Sequence, residues 1–201
     1  MKTIMFNDEP YALTDSVIAG IKTKTRRTVP QSHLDAYDNY KSSSNNPMTL
    51  EDFLIKRGYA RYTKGEVVAI AQRYKDIGLS PSYVHAKKDH SKKVVSSVPI
   101  GELPGWNNKM FVAADFMPHH IRITDVRVER LQTISDDDIR AEGVIELVRG
   151  VSYTTNPKNK AAFLEARNLR GAFIRLIDGV SKKAVFRKNP YVYVFSFEVI
   201  D

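Results

Sequence analysis

The residues with the most chemical potential lie close together near the start of the chain, where Gly20 to Arg27 reads Gly-Ile-Lys-Thr-Lys-Thr-Arg-Arg. Crowded cations and burial both lower the pKa of a lysine, so a neutral Lys22 amine can take a proton from Thr25 and make its hydroxyl a nucleophile. The same groups can instead bind phosphate, with Arg27 as a bidentate donor and a threonine as a neutral donor. A third interpretation is a basic turn exposed to solvent. The types of residue alone leave all three open.

The composition is that of a folded domain, with 42% hydrophobic and 27% charged residues among 201. No apolar run approaches the roughly 20 residues that cross a bilayer, and the first residues are too polar for a secretory signal. The chain has no cysteine, which excludes disulfides and thiolate metal sites and is compatible with a reducing compartment. We therefore expect a cytoplasmic protein.

The charge of the chain favours a polyanionic partner. There are 31 Lys and Arg residues against 23 Asp and Glu residues, a formal net charge of +8. Each phosphate that such a surface neutralises releases condensed counterions, which drives binding of nucleic acid. A nucleic acid is the polyanionic partner that this charge favours, and no membrane partner is expected.

Apolar spacing and turn residues predict the elements around this segment. Leu13, Val17 and Ile18 recur at helical spacing, and Gly20 suits a left-handed helix end, so the segment follows a helix and enters a turn that exposes its polar groups. Residues 30–47 are polar and lack periodicity, which predicts a mobile loop. Thr49 is expected to cap a helix. The predicted strands are residues 3–6, 67–74, 110–113, 120–131 and 191–200, and the predicted helices are 10–19, 49–56, 135–143 and 159–176.

The strand over residues 120–131 leads into a helix rich in acids. Apolar and polar residues alternate along the strand, with a slip near Asp125 that suggests a bulge. Ser135 is expected to cap the helix, and the acids Asp136 to Asp138 are interpreted as capping groups at its positive end. Short strands, turns and a few helices together predict a mainly β fold of the α+β class, built on a small β-barrel.

Gly20, Lys22, Thr25 and Arg27 fit the pattern G-x-K-x-x-T-x-R, which resembles that of the ASCH domains of the PUA-like superfamily. The order of parts is also similar: a helix before the motif, the turn Gly65-Glu66 before a strand, the acidic helix, and a closing strand. It resembles ASCH-like proteins of phages and prophages. The resemblance implies one domain over residues 1–201, a PUA-like small β-barrel with peripheral helices, and large loop insertions at about 31–60, 78–108 and 145–170.

The resemblance implies two functions for the same residues. PUA-like domains bind RNA, nucleotides or modified nucleosides, so Lys24, Arg26 and Arg27 are expected to contact the ligand. Some ASCH proteins are acetylcytidine amidohydrolases, and by position the catalytic roles fall on Lys22 as base, Thr25 as attacking group and Glu142 as proton donor or anchor. Without the family pattern, an acid on the surface at a helix end is the favoured interpretation of Glu142.

One departure from the phage-type pattern favours recognition over hydrolysis. The strand after the Gly65-Glu66 turn lacks the Trp and Glu that such relatives often carry. Gln72 can hydrogen-bond to a base edge there but cannot act as an acid or base, and Tyr74 can stack on a base or simply pack.

The remaining alternatives concern metals, cofactors and protein partners. Adjacent His119 and His120 on a strand face opposite ways, so no metal site is expected, and no cofactor motif is present. A third hypothesis is a phage-encoded interaction module that binds a protein partner through the insertions.

Overall fold

The computed structural model describes residues 1–79, 104–158 and 162–201. These residues form a mixed α+β structure with eight strands in two sheets and six α-helices. The predicted α+β class is confirmed, and no closed barrel is found in this part of the chain. The chain divides into a smaller unit, Met1–Phe6, Val67–Ile121 and Ile200–Asp201, and a larger unit, Asn7–Glu66 and Arg122–Val199.

The elements are numbered here along the chain. The strands are β1 (Lys2–Ile4), β2 (Lys24–Thr28), β3 (Val67–Ile70), β4 (His120–Arg130), β5 (Ile145–Val148), β6 (Ser152–Thr154), β7 (Phe163–Glu165) and β8 (Tyr191–Val199). The helices are α1 (Leu13–Ile18), α2 (Gln31–Ser43), α3 (Leu50–Lys56), α4 (Asp136–Ala141), α5 (Leu169–Ser181) and α6 (Val185–Lys188). Among the described helices, none combines the length and the apolar character needed to cross a membrane.

The smaller unit is built on a parallel pair of strands, β1 and β3, in which Ile4 lies opposite Ile70. Its buried cluster begins in β3 and comprises Ala69, Ala71, Tyr74, Val112, Ala114 and Met117. The prediction of a strand over residues 110–113 is wrong. Met110 and Phe111 are exposed in a turn, and a short 3₁₀ helix follows over Ala114–Phe116.

The larger unit has β8 as its central strand, flanked by β4 and β2. Strands β2 and β8 are antiparallel, from Lys24 opposite Ser196 to Thr28 opposite Val192. Four successive residues of β8, from Val192 to Phe195, are buried. A strand buried on both faces carries a continuous run of apolar and aromatic residues, as these four residues do.

The connection between α1 and β2 is close to the predicted one. Helix α1 begins at Leu13 instead of residue 10 because Ala12 has left-handed backbone angles, with φ of 48°. Gly20 has φ of +70°, as its predicted role at a helix end requires. The chain therefore reverses after α1 and enters β2.

The prediction of a mobile loop over residues 30–47 is wrong, because α2 occupies most of that range. Tyr37 and Tyr40 of α2 contact Phe53 of α3, with ring centroids 5.5 and 4.9 Å apart. Packing of this kind stabilises a helix whose own sequence is only weakly amphipathic. The predicted cap of α3 is confirmed, since the Thr49 hydroxyl accepts a hydrogen bond from the Asp52 amide at 3.1 Å.

The segment expected as an insertion at 145–170 forms an antiparallel sheet of β5, β6 and β7. The helix predicted over residues 159–176 is wrong in its first half, because β7 precedes α5. Helix α5 begins after Asn168, whose side chain accepts from the Gly171 amide at 2.7 Å. Residues 159–161 and most of the expected 78–108 insertion lie outside the described residues.

Candidate functional site

Strand β2 sorts the basic segment onto two faces. Side chains alternate along a strand, so Lys24 and Arg26 share one face while Thr25 and Arg27 share the other. Lys22 lies just before the strand, and its amide and that of Ile21 donate to the Ser16 carbonyl of α1. The segment is thus a strand with two distinct faces, and the prediction of an exposed turn is wrong.

Helix α4 supplies carboxylates to the Lys24 and Arg26 face. Its start is fixed by the Ser135 hydroxyl, which accepts from the Asp138 amide at 3.1 Å. Asp138 and Glu142 are four residues apart and therefore project from the same side of the helix. The Thr23 amide donates to the Ala141 carbonyl at 2.8 Å, which ties the start of β2 to the end of α4.

Lys22 is buried and fully hydrogen-bonded. Its ammonium donates to Glu142 Oε2 at 2.5 Å, to the Glu142 carbonyl at 3.0 Å and to the Lys24 carbonyl at 2.7 Å. Its side chain is 2% exposed. Burial lowers the pKa of Lys22 below its ordinary value, and the attraction of Glu142 opposes that shift. An ammonium has three N–H donors, so none remains for another group in this arrangement.

Arg26 joins three carboxylates from two elements. Its guanidinium, 0% exposed, donates to Glu142 Oε1 at 3.0 Å, to Asp138 Oδ2 at 2.6 Å and to Glu129 Oε1 of β4 at 2.7 Å. Burial alone would lower the pKa of Arg26, but the three acids outweigh it and raise that pKa. Lys24 pairs with Asp138 Oδ1. We call this group the ion cluster: Lys22, Lys24, Arg26, Glu129, Asp138 and Glu142.

The ion cluster brings together two of the three predicted catalytic residues. Lys22 and Glu142 are in direct contact, and Glu142 is buried, so its alternative interpretation as a surface acid is wrong. Thr25 lies on the opposite face of β2 and is buried, with 5% of its surface exposed. The hydrogen bonds from Lys22 all go to other oxygens, so the resting arrangement contains no Lys22–Thr25 contact.

Arg26 and Lys24 were expected to contact a ligand, and the structure engages both internally. Arg26 is enclosed because it neutralises Glu129, Asp138 and Glu142, and a buried carboxylate needs such a partner. Lys24 is half-buried against Asp138. These two cations therefore position β2 against α4.

Arg27 lies on the other face of β2 and is exposed to solvent. Nearby protein atoms desolvate its guanidinium and lower its pKa, the attraction of Tyr62 and Glu142 opposes that shift, and repulsion from Arg61 adds to it. The Arg61 guanidinium lies 5.6 Å from the centre of the Tyr62 ring. The charge of Arg61 thus acts on Arg27.

Two residues of the ion cluster were missed by sequence reasoning. Asp138 was interpreted as a capping group, but its carboxylate pairs with Lys24 and Arg26. The signal in the sequence was that Asp138 lies four residues before Glu142, which places both carboxylates on one side of the helix. Basic residues that alternate along a strand also lie on one side, so the two sets can face each other. Glu129 carries no comparable signal, because its role depends on which strands are neighbours.

Gln72 and Tyr74 belong to the smaller unit. Tyr74 is 2% exposed, its hydroxyl accepts from the Ala113 amide at 2.8 Å, and its ring contacts that of Phe116. It therefore packs in the core and leaves no ring face open to a base. Gln72 Oε1 is buried with no hydrogen-bond partner among the described residues.

No group of three His, Cys, Asp or Glu side chains suited to a metal ion occurs among the described residues. His120 Nδ1 instead lies 2.7 Å from Asp201 Oδ2. The chain matches no known family model, no curated protein and no solved structure.

The titration of Asp138 makes the stability of the ion cluster depend on pH. Its burial would raise its pKa, but hydrogen bonds from Lys24 and Arg26 outweigh this and lower the pKa below its ordinary 3.8. The folded state then binds this proton more weakly than the unfolded chain. The stabilisation is complete above the ordinary pKa and is lost as pH falls through the lower folded value. We expect Asp138→Asn to reduce the acid-induced fall in the free energy of unfolding.

Urea unfolding at a series of pH values between about 6 and about 2 measures this effect. Asp137→Asn is the matched control, because Asp137 is the adjacent acid of α4 and its side chain is almost fully exposed. An acid-induced fall in Asp138→Asn as large as in the parent protein would contradict the assignment.

Proposed function

We propose that this chain is an ASCH-like protein of the PUA-like superfamily that binds RNA or a nucleotide on the Thr25 and Arg27 face of β2. The observation that carries the proposal is the division of cations between the two faces. The ion cluster neutralises Lys22, Lys24 and Arg26 inside the protein. Arg27, on the other face, is exposed to solvent, and the charge of Arg61 acts on it.

The chemistry of that face suits a nucleoside phosphate. Guanidinium groups bind phosphate through paired N–H donors, and Arg27 with Arg61 offers two such groups. Thr25 is buried on that face, so the guanidiniums make the contact with the ligand. Partners directly opposite in an antiparallel pair share a face, so Tyr193 and Phe195 of β8 flank Arg27 and Thr25. The net charge of +8 supports a polyanionic ligand.

The assignment of the fold to a PUA-like barrel is part of the same proposal. The PUA-like barrel rests on the G-x-K-x-x-T-x-R pattern and on the order of parts: α1, β2, the long strand β4, the acid-rich α4 and the closing strand β8. A cytoplasmic location rests on the absence of cysteine.

Salt dependence tests the role of Arg27. Arg27→Ala removes one phosphate contact, so we expect affinity for a single-stranded RNA to fall about tenfold and the slope of log affinity against log salt to lessen by about 0.7. Fluorescence anisotropy with a labelled RNA at several salt concentrations measures both quantities. Arg187→Ala is the matched control, since it removes the same charge from an exposed residue of α6. Equal losses in both variants would mean that only overall charge matters.

Hydrolysis of an acylated cytidine is a second candidate, favoured by the 2.5 Å contact between Lys22 and Glu142 and by the lowered pKa of Lys22. Lys22 would pass a proton to Glu142, release its contacts and accept the Thr25 proton as that oxygen attacks the acetyl carbon. The cytosine amine would leave with a proton. Water would then hydrolyse the acetylated threonine and release acetate.

Acetate release from N4-acetylcytidine tests this candidate. We expect the parent protein to release acetate if the mechanism operates, and Thr25→Val, which keeps the shape of the side chain, to abolish it. Gln132→Val, a change in an exposed residue, is the control for folding and handling. Release that persists in Thr25→Val, or no release by the parent protein, would remove hydrolysis and leave binding.

A further inference from the structure

Most of the net positive charge of the chain lies in residues 167–190, which include α5 and α6. This stretch contains seven Lys and Arg residues and a single acid, Asp178, so it carries six of the formal net charge of +8. The Asp178 carboxylate accepts a hydrogen bond from the Phe186 amide at 2.9 Å and so serves the connection between the two helices. We call residues 167–190 the basic region. A local excess of this kind attracts polyanions.

Two side chains join the basic region to the end of β4. The Gln132 amide donates to Asn189 Oδ1 at 2.8 Å, and Gln132 Nε2 donates to the Phe186 carbonyl at 2.9 Å. Asn189 ends α6 with left-handed backbone angles, φ of 44°, and the chain turns there into β8. The segment that follows β4 therefore lies beside the end of α6 and the start of β8.

Arg130, the last residue of β4, has an oriented guanidinium that no described carboxylate neutralises. Its guanidinium carbon lies 3.8 Å from the centre of the Tyr191 ring, and Nη1 donates to the Asn189 carbonyl at 3.0 Å. The residue is exposed and forms no ion pair with any residue that the structure describes. A guanidinium carries more N–H donors than this one contact uses, so others remain for a ligand.

Arg170, in the first turn of α5, is oriented against the same segment. Its Nη1 donates to the Gln132 carbonyl at 3.2 Å, and its Nη2 donates to the Ile134 carbonyl at 2.8 Å. The start of α5 is itself fixed, because the Asn168 side chain caps the helix. Arg170 is also exposed, and no acid within the described ranges pairs with it. Its charge is therefore held in place without being compensated.

Other arginines differ from these two in how their charge is compensated. Arg26 is enclosed by the carboxylates of the ion cluster. Several arginines nearer the surface pair with a neighbouring acid: Arg73 with Asp76, Arg122 with Glu198, and Arg140 with Asp137. Arg130 and Arg170 are instead oriented by carbonyls, which accept hydrogen bonds without cancelling the charge. Orientation and full charge together suit phosphate, since a planar guanidinium binds two phosphate oxygens at once.

We propose that Arg130 and Arg170 form a phosphate clamp that binds the backbone of an RNA strand beside residues 131–134. The inference rests on the proposed function and deepens it, because it names a second place where the same ligand contacts the larger unit. The clamp stands on its own contacts and does not depend on Arg27. The basic region supplies long-range attraction, and the clamp supplies directed hydrogen bonds.

The two guanidiniums of the clamp favour a chain of phosphates over an acidic peptide. They come from different elements, β4 and α5, and an RNA strand supplies a phosphate at every nucleotide, so one strand can occupy both. An acidic peptide has the same sign of charge, but its carboxylates lie on side chains that lose rotamer freedom when they bind. The phosphates of RNA are part of its backbone and avoid that cost.

Fluorescence anisotropy with a labelled oligouridylate of about 12 nucleotides tests the clamp. We expect Arg130→Ala and Arg170→Ala each to weaken binding about tenfold and to lessen the slope of log affinity against log salt by about 0.7, because each removes one phosphate contact. The double variant should lessen the slope by about 1.4. Arg130→Lys and Arg170→Lys keep the charge but lose the planar fork, so the slope should stay the same while the affinity falls.

Arg187→Ala is the matched control, because it removes the same charge from an exposed arginine of the basic region that lies outside the clamp. We expect it to weaken binding less than about twofold. Arg130→Gln and Arg170→Gln keep a hydrogen-bond donor for the carbonyls, and they replace the alanine variants if those unfold. Losses in the clamp variants no larger than the loss in Arg187→Ala would overturn the inference.

Two further results separate this inference from its alternatives. Polyglutamate that binds as tightly as the RNA and depends equally on Arg130 and Arg170 would overturn the inference, because an acidic protein would then be the partner. If the clamp variants bind RNA like the parent protein while Arg27→Ala weakens binding, the clamp contacts are structural and the β2 face remains the site. If the clamp variants weaken binding and Arg27→Ala does not, the clamp is the site and the β2 face is not. If the parent protein binds no RNA, both proposals are overturned.

Discussion

The buried guanidinium of Arg26 is the constraint on which the rest of the larger unit depends. Removing a charge from water is costly unless the charge is paired and hydrogen-bonded, and Arg26 meets that requirement only where Glu129, Asp138 and Glu142 converge. Those acids come from β4 and from the two ends of α4. The position of β2 relative to both elements is therefore fixed by electrostatics as well as by its pairing with β8.

The pairing of Arg26 with these acids also determines which charged side chains are engaged inside the protein. Three cations meet three carboxylates in the ion cluster, so the cluster presents little uncompensated charge to a ligand. Alternation along β2 then turns Thr25 and Arg27 to the other face. Hydrolysis would require Lys22 to leave three hydrogen bonds before it could reach Thr25. The resting geometry accordingly favours recognition.

Local signals predicted the parts of the fold that have local causes. Gly20 at the end of α1 and the caps at Thr49 and Ser135 are each set by a few neighbouring residues, and all are observed. The contact of Lys22 with Glu142 followed from a motif. Helix α2 was missed because rings of α3 stabilise it, and Glu129 was missed because its role depends on packing between strands. Interactions between distant segments leave no periodic pattern in either segment.

A double-mutant cycle on Lys22 and Glu142 tests the central claim most directly. Free energies of unfolding are measured for the parent protein, Lys22→Met, Glu142→Gln and the double variant at neutral pH. If the ion cluster holds β2 to α4, Lys22→Met leaves the buried Glu142 carboxylate with Arg26 alone, and Glu142→Gln leaves the buried Lys22 ammonium without a carboxylate, so the coupling energy is about 2 to 3 kcal/mol. A coupling energy below about 0.5 kcal/mol, with the two changes additive, would contradict the account.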